Sequence, residues 1–229
     1  MRRAIGYPAL VCALLAAGCA LSAPHYLPPG QPDFRQLLPP PPAAGSLEER
    51  RDLDAVLELQ RVRTPAEIAR AQADQPVSVF RFADVLGERF RAEQLPRTAL
   101  LFKTITHEGN AAWDAAKTQW NRPRPFLSSA DVQPVVERPA SASYPSGHAA
   151  SGWLWASVLG QMVPEKRSEL YARAREYSHN RVVGGVHYPS DEEAGELTGV
   201  AIAAGLRQSA TFRADLAEAT AELRRVLGY

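Results

Sequence analysis

From Ser46 onwards, apolar residues recur every three or four positions, the spacing that places them on one face of an α-helix. Ser46 is a suitable N-cap, and Glu48 and Glu49 put acidic groups in the first turn of a helix that continues through Leu53 and Val56. Similar spacing predicts further helices over residues 64–75, 77–90, 97–120, 146–162, 164–180, 190–208 and 210–227. Because alternating strand patterns are scarce, we expect an all-α fold, a compact helical bundle domain over residues 46–229.

Residues 24–45 differ in composition from this helical region. Prolines are frequent in the first part of the segment and then form an unbroken run from Pro39 to Pro42. Proline lacks a backbone N–H donor and favours extended polyproline II structure over helix. We therefore expect a proline-rich N-terminal arm ahead of the helical domain.

Residues 1–23 have the features of a secretory signal peptide. Arg2 and Arg3 form a positive start, residues 9–17 are apolar, and small residues follow from Gly18. The apolar stretch is shorter than the roughly 20 residues that span a bilayer, which argues against a membrane anchor. We expect this leader to export the chain.

Residues 14–19 read Leu-Leu-Ala-Ala-Gly-Cys, which resembles a bacterial lipobox with Cys19 as the lipid-modified residue. Ala16 stands where that pattern favours leucine, so the sequence leaves lipidation of Cys19 open. We expect a periplasmic protein, anchored to the outer membrane through Cys19 if that residue is lipidated.

Both cysteines of the chain, Cys12 and Cys19, lie in the predicted leader. The rest of the chain can form no disulfide bond, and zinc sites with cysteine ligands are excluded from it. A formal net charge of +1 does not indicate a nucleic-acid partner. The apolar runs at residues 152–163 and 197–206 are too short and interrupted to cross a membrane, so we expect core-facing helices there.

Lys117 and Arg124 form the first of three segments that suit an oxyanion. Lys117 lies near the end of a predicted helix, and Arg124 follows between Pro123 and Pro125, which stop the helix. Arg124 can bind two phosphate oxygens with its forked guanidinium, while Lys117 acts as a point charge. On its own, this pattern is more often a solvated basic helix end.

Ser146, Gly147 and His148 form the second segment, at the start of an apolar helical run. A helix start leaves the amides of Gly147 and His148 free beside the Ser146 hydroxyl, an arrangement that suits an anion. His148 projects into the same place. The alternative is that Ser146 only caps the helix and His148 is a surface residue.

Arg181, His187 and Asp191 form the third segment, with Gly184 and Gly185 allowing a tight turn between them. The Asp191 carboxylate is close enough in sequence to bond one imidazole nitrogen of His187. That bond would fix the tautomer and leave the other nitrogen free to attack an electrophile. A lone histidine with a nearby aspartate is more often structural.

Taken together, the patterns K-x6-R-P, P-S-G-H and R-x5-H-x3-D closely resemble the signature of the type 2 phosphatidic acid phosphatase superfamily. Within it, the chain resembles the soluble class A bacterial nonspecific acid phosphatases over nearly all of its length after the leader. Asp52, Asp54 and Phe126 are further points of resemblance. The resemblance implies a helical domain with a phosphate site between central helices.

The resemblance also implies roles for individual residues. His187 corresponds to the nucleophile, His148 to the general acid and Asp191 to the partner that orients His187. The phosphate-binding residues it implies are Lys117, Arg124, Ser146, Gly147 and Arg181. The implied activity is hydrolysis of small-molecule phosphate monoesters through a phosphohistidine, without a metal or other cofactor, because three cationic side chains supply the positive charge.

Two residues depart from the family pattern. Asn180 stands where the family usually has serine before the last arginine, and Gly184 replaces a usual cysteine. These changes affect the expected stability and substrate preference more than the chemistry.

Other functions stay open at this point. Vanadium haloperoxidases share the constellation but are usually much larger chains, and a non-catalytic phosphate-binding lipoprotein would retain the binding residues without turnover. Membrane lipid phosphatases of the superfamily have transmembrane helices, which this sequence does not predict. The sequence names neither the physiological substrate nor the oligomeric state, so a homo-oligomer also stays open.

Overall fold

The computed structural model describes residues 25–229, which form helices and connecting loops with no β-strand among them. The expected all-α fold is confirmed. The signal-peptide prediction, including Cys12 and Cys19, lies outside the described residues. Within residues 25–229, no helix has the length and apolar character needed to cross a membrane.

Ten α-helices and two short 3-10 helices make up the described part of the chain. The α-helices are α1 Phe34–Leu37, α2 Leu47–Val62, α3 Pro65–Ala73, α4 Ala83–Leu86, α5 Pro96–Trp120, α6 Pro125–Ser128, α7 Gly147–Met162, α8 Arg167–Val183, α9 Pro189–Leu206 and α10 Ala210–Leu227. The 3-10 helices, Val79–Phe82 and Pro164–Lys166, precede α4 and α8.

The single helix predicted over residues 77–90 is wrong. Ser78 caps the 3-10 helix, which passes into α4, and Gly87 then ends the helical backbone with a φ of 90°. The buried apolar side chains of this segment are Val79, Phe82, Leu86 and Phe90. Their spacing is that of a helix, but successive short turns present the same residues to the core.

Helix α7 lies at the centre of the fold and packs mainly against α8 and α9. Its contact with α9 is close because of Gly199, where an added Cβ would lie 2.3 Å from the carbonyl oxygen of Ala150. The two helices consequently start side by side, and the backbone N–H of Ser146 donates to the carbonyl of Asp191 at 3.0 Å. This packing brings the second and third sequence segments together.

Helix α10 covers the start of α5, the helix that carries Lys117. The buried Glu222 of α10 accepts hydrogen bonds from the backbone N–H groups of Arg97 and Thr98, at 3.1 and 2.8 Å. Because the first amides of a helix have no partner within it, this carboxylate serves as a cap and holds α5 in place.

Residues 25–45 pack against the helical bundle. The backbone N–H of Tyr26 donates to Glu108 at 2.9 Å, and Phe34 and Leu38 are buried. The extended backbone expected for this segment is interrupted by α1, which forms in the stretch without proline after Asp33, its N-cap.

Candidate active site

Six of the eight site residues predicted from the sequence line one cavity of about 360 Å³. They come from the end of α5, the loop after it, the start of α7, the end of α8 and the loop before α9, and they are Lys117, Arg124, Gly147, His148, Arg181 and His187. Ser146 and Asp191 do not line the cavity. They lie directly behind it, at the first turns of α7 and α9.

The His187 ring is held by Asp191, which lies one helical turn further along the chain. Nδ1 of His187 is 3.1 Å from Oδ2 of Asp191, and the Tyr188 N–H and Ser143 hydroxyl donate to the same oxygen. An ionised carboxylate that accepts these bonds requires the proton on Nδ1, so the network assigns the Nε2 lone pair to the cavity side.

The charge states of this pair follow from its surroundings. Burial alone would raise the pKa of Asp191, but the His187 hydrogen bond and the Arg122 charge outweigh it and hold that pKa well below its usual value. Burial, followed by the nearby Arg124 charge, lowers the pKa of His187 well below its usual value. His187 is therefore neutral and Asp191 ionised, which leaves Nε2 nucleophilic.

Arg124 lies against Nε2 of His187. Its Nη1 is 3.0 Å from Nε2 of His187, and it also donates to the Val186 carbonyl at 2.7 Å. Nε donates to the Ser141 carbonyl at 2.7 Å. Burial and the Arg181 charge lower the pKa of Arg124 to about 10, so the side chain remains cationic in acidic solution.

Lys117 is bonded to backbone carbonyls. Its ammonium donates to the carbonyl oxygens of Ala142, Ser143 and Pro145, at 2.9, 3.4 and 2.6 Å, which accounts for all of its N–H donors. Burial and the Arg124 charge lower its pKa to about 8. Lys117 therefore adds positive charge to the cavity wall and holds the loop that leads into α7.

Arg181 is a buried cation of the cavity with no carboxylate within ion-pair distance among the described residues. Its side chain is buried, and neither Nε nor Nη1 has a hydrogen-bond partner among residues 25–229. A buried, unpaired guanidinium is costly, and Arg181 lines the cavity. The arrangement fits a site built to bind an anion.

His148 occupies the first turn of α7. Its Nε2 is 2.9 Å from the carbonyl of Gln75, so Nε2 carries a proton and Nδ1 is the second functional nitrogen. The ring stacks on Tyr177 with centroids 5.5 Å apart. Burial, then the Arg181 charge, lowers the pKa of His148 to about 3. A phosphate dianion bound in the cavity would raise the pKa of His148, because it favours the protonated ring.

Ser146 caps the start of α7, as one of the two interpretations of this segment predicted. Ser146 is the N-cap, and its hydroxyl accepts from the Ala149 N–H at 3.3 Å. Gly147 follows against Trp113, where an added Cβ would lie 3.3 Å from the indole nitrogen. Gly147 and Trp113 both line the cavity, and a larger residue at position 147 would crowd the indole.

Arg122 is the main site residue that the sequence analysis missed. It is buried, and its guanidinium donates to Asp191 at 2.6 Å, to Asp52 at 2.7 Å and to Ser190 at 2.8 Å. The one sequence feature that points to Arg122 is its position two residues before Arg124. Nothing in the local pattern tells which of the two arginines lines the cavity.

Glu192 is a second missed residue. It is buried beside Asp191, with the Ser146 and Ser178 hydroxyls as its polar neighbours. Burial and the Asp191 charge raise its pKa to about 8, so it is protonated in acidic solution. In that state it does not compete with an anion for the positive charge of Arg181.

The two departures from the family pattern have structural roles away from the cavity. Nδ2 of Asn180 donates to the buried Asp74 at 2.8 Å, beside the ion pair of Asp74 with Arg173. Gly184 caps α8, and a Cβ there would lie 2.9 Å from the Val136 side chain. Neither residue lines the catalytic cavity.

The chain is similar to several bacterial enzymes. It is 32% identical over 209 residues to the non-specific acid phosphatase of Salmonella typhimurium, covering 87% of this chain and 84% of that protein. It is 28% identical over 235 residues to the acid phosphatase of Zymomonas mobilis, covering 95% and 88%.

Two solved structures share the fold. The transmembrane PAP2 type phosphatidylglycerolphosphate phosphatase of Bacillus subtilis superposes with a TM-score of 0.53 at 17% identity, over 70% of this chain and 84% of that one. A bacterial vanadium-dependent iodoperoxidase gives 0.52 at 21% identity, over 77% and 53%. At these identities the likeness concerns the fold alone. The profile of the PAP2 superfamily matches residues 98–214, a stretch that contains all eight predicted site residues, and the chain belongs to this superfamily.

Proposed function

We propose that this chain is an exported acid phosphatase that hydrolyses phosphate monoesters through a phosphohistidine on His187, without a metal. Acid phosphatase activity is supported by relatives of that name, which align with most of the chain. One observation carries the site assignment: the nucleophilic Nε2 of His187 faces a cavity whose buried Arg181 has unpartnered N–H groups.

The substrate binds to cationic side chains that the fold holds in position before binding. The phosphoryl oxygens accept hydrogen bonds from Arg181, Arg124 and the Gly147 amide, and Lys117 contributes its charge at longer range. Phosphoryl transfer keeps negative charge on the equatorial oxygens, so preorganised cations and amides provide most of the catalysis. Arg124 exchanges its contact with His187 for a phosphoryl oxygen and thereby frees the lone pair of Nε2.

In the first step, Nε2 of His187 attacks phosphorus and the bond to the ester oxygen breaks. The leaving oxygen takes a proton from His148, so the alcohol departs neutral. Asp191 retains the Nδ1 proton of His187 and stabilises the positive charge that develops on the phosphorylated ring. The products of this step are the alcohol and the phosphoenzyme.

In the second step, the now neutral His148 removes a proton from water as the water oxygen attacks phosphorus. The bond between phosphorus and Nε2 breaks, phosphate leaves, and His187 returns to its neutral state. His148 has recovered its proton, so both histidines are restored and the atoms and charges balance.

The test is turnover of an aryl and an alkyl phosphate by the purified protein after dialysis against excess EDTA. We expect activity to persist and vanadate to inhibit it. Loss of activity that zinc or magnesium restores would refute metal independence, and the absence of turnover with either ester would support the non-catalytic alternative. Halide oxidation in the presence of vanadate would support the haloperoxidase alternative.

Export rests on residues 1–23 alone. Cell fractionation tests periplasmic location, and mass spectrometry of the mature N-terminus shows whether the chain is cleaved and whether Cys19 carries lipid. Retention of the full leader in the cytoplasm would contradict this part of the proposal.

A further inference from the structure

A second cavity of about 420 Å³ adjoins the catalytic cavity. The two share Val77 and Asn110 as lining residues, so they form one continuous depression along α5. We call the second cavity the distal groove. Its walls are residues 77–80 on one side and a face of α5 that includes Lys103 on the other.

The mechanism directs the leaving group toward this groove. The proton donor must lie at the ester oxygen, on the side of phosphorus opposite the nucleophile. His148 is hydrogen-bonded to the carbonyl of Gln75, two residues before Val77, which is the first residue of the groove wall. Val77 lines the catalytic cavity together with His148 and also lines the groove, so a leaving group protonated by His148 can extend along Val77 into the groove.

The groove wall combines apolar surface with positive charge. Val77 is 51% exposed and Phe80 is partly buried, so an aliphatic or aromatic leaving group can cover them. The described residues that line the groove include no aspartate or glutamate. Lys103 and His107 are its ionisable members, and both are basic.

Lys103 has a free ammonium within the described part of the chain. Lys166 pairs with Glu169 at 3.2 Å, whereas Lys103 has no carboxylate within ion-pair distance among residues 25–229. Lys103 and Asn110 are two helical turns apart on α5. The Cα of Lys103 therefore lies about 10 Å along the helix from the Cα of Asn110, which is at the junction of the two cavities.

We propose that the distal groove is a leaving-group site that selects phosphate monoesters whose leaving group is extended, partly apolar and negatively charged at its far end. Lys103 is its specificity-determining residue. This inference rests on the proposed phosphatase activity and names a substrate class for it.

The experiment uses phosphate esters of one alkyl chain that differ only in the distal group: a sulfonate, a hydroxyl or a trimethylammonium. Hexyl and ethyl chains are compared, because only the longer chain reaches beyond Asn110. We expect the kcat/KM of the hexyl sulfonate to exceed that of the hexyl alcohol by about fivefold, the upper range for one exposed charge pair. The trimethylammonium ester should be the poorest substrate.

Variants of Lys103 separate this effect from general electrostatics. K103Q should remove the preference for the hexyl sulfonate, and K103E should reverse it in favour of trimethylammonium, while activity on the hydroxyl ester changes little. K166Q, at a half-buried lysine of the 3-10 helix Pro164–Lys166 that pairs with Glu169, is the control and should leave every ratio unchanged. The Lys103 effect should be smaller for the ethyl esters.

The outcomes distinguish the two proposals. A ratio of sulfonate to hydroxyl turnover that K103Q leaves at the wild-type value would overturn the distal-groove assignment and leave the phosphatase intact. Failure of the wild-type protein to hydrolyse any of the three esters would instead refute the proposed function.

Discussion

Nη1 of Arg122 donates to Oδ1 of Asp191 at 2.6 Å, so the carboxylate that orients His187 is itself held from its other side by a buried cation. The second amino group of Arg122 reaches Asp52 on α2 at 2.7 Å. The guanidinium also lies 4.0 Å above the Tyr188 ring. The position of His187 therefore depends on α2, which contributes no residue to the cavity lining.

Replacement of Arg122 by methionine should impair catalysis through Asp191. The Asp191 pKa is held down in part by Arg122, so it should rise in R122M, and the acidic limb of the kcat profile should move to higher pH. We expect kcat to fall about tenfold or more, about 1.4 kcal/mol in barrier height, with a smaller change in KM. R122K, which keeps one charge, should recover part of kcat. A purely structural role would lower the thermal midpoint without moving the pH profile.

Exchange of His187 and His148 for alanine should give different dependence on the leaving group. H187A removes the nucleophile, so aryl and alkyl esters should lose activity alike, by orders of magnitude. H148A removes the proton donor, so alkyl esters should lose more than nitrophenyl phosphate, whose leaving group departs without protonation.

The same H148A variant should accumulate phosphoenzyme, because it also lacks the base that activates water. Rapid quenching into alkali followed by mass spectrometry should locate the phosphate on His187. Phosphate found on His148 in the wild type, or near-normal turnover by H187A, would contradict the assigned roles.

The pH dependence of kcat and of kcat/KM should differ. His148 must be protonated for the first step, and in the free enzyme its pKa is lowered to about 3. The kcat/KM profile reports the free enzyme, so it should fall as pH rises through the acidic range. A bound phosphate dianion raises the pKa of His148, so the kcat profile should extend to higher pH. Coincident profiles, or a rate that rises up to pH 10, would argue against His148 as the acid.

Arg181→Met should weaken phosphate binding and stabilise the fold. The variant replaces a buried guanidinium with two unpartnered nitrogens by an apolar side chain of similar length, so without phosphate the free energy of unfolding should rise by about 1 kcal/mol or more. Wild-type protein should gain about 2.7 kcal/mol from phosphate at one hundred times Kd, and R181M should gain little.

Urea denaturation with and without phosphate measures both effects. Arg173→Met is the control: Arg173 is equally buried and its Nε and Nη1 also have no hydrogen-bond partner among the described residues, but its Nη2 pairs with Asp74 at 2.6 Å, so its loss should destabilise the protein. Phosphate stabilisation of R181M equal to that of the wild type would exclude Arg181 from the anion site.

The sequence alone predicted the helical class and six of the residues that line the cavity. Both depend on local chemistry. The spacing of apolar residues defines the buried faces of helices. A serine-glycine helix start, or a histidine one turn from an aspartate, can perform only a few structural or chemical roles. The resemblance to a known family then joined three segments that local patterns left separate.

The sequence did not distinguish the tasks of Arg122 and Arg124, or predict that Lys117 would bind carbonyls and that His148 would bond to Gln75. Each of these assignments depends on a contact with a distant part of the chain, such as Arg122 with Asp52, 70 residues away. Two side chains of the same type, such as Arg122 and Arg124, differ only in the residues that surround them once the helices have packed. Burial, charge and hydrogen-bond partners are properties of that packing, so the direction of each pKa shift and the distal groove emerge only when α5, α7, α8 and α9 are assembled.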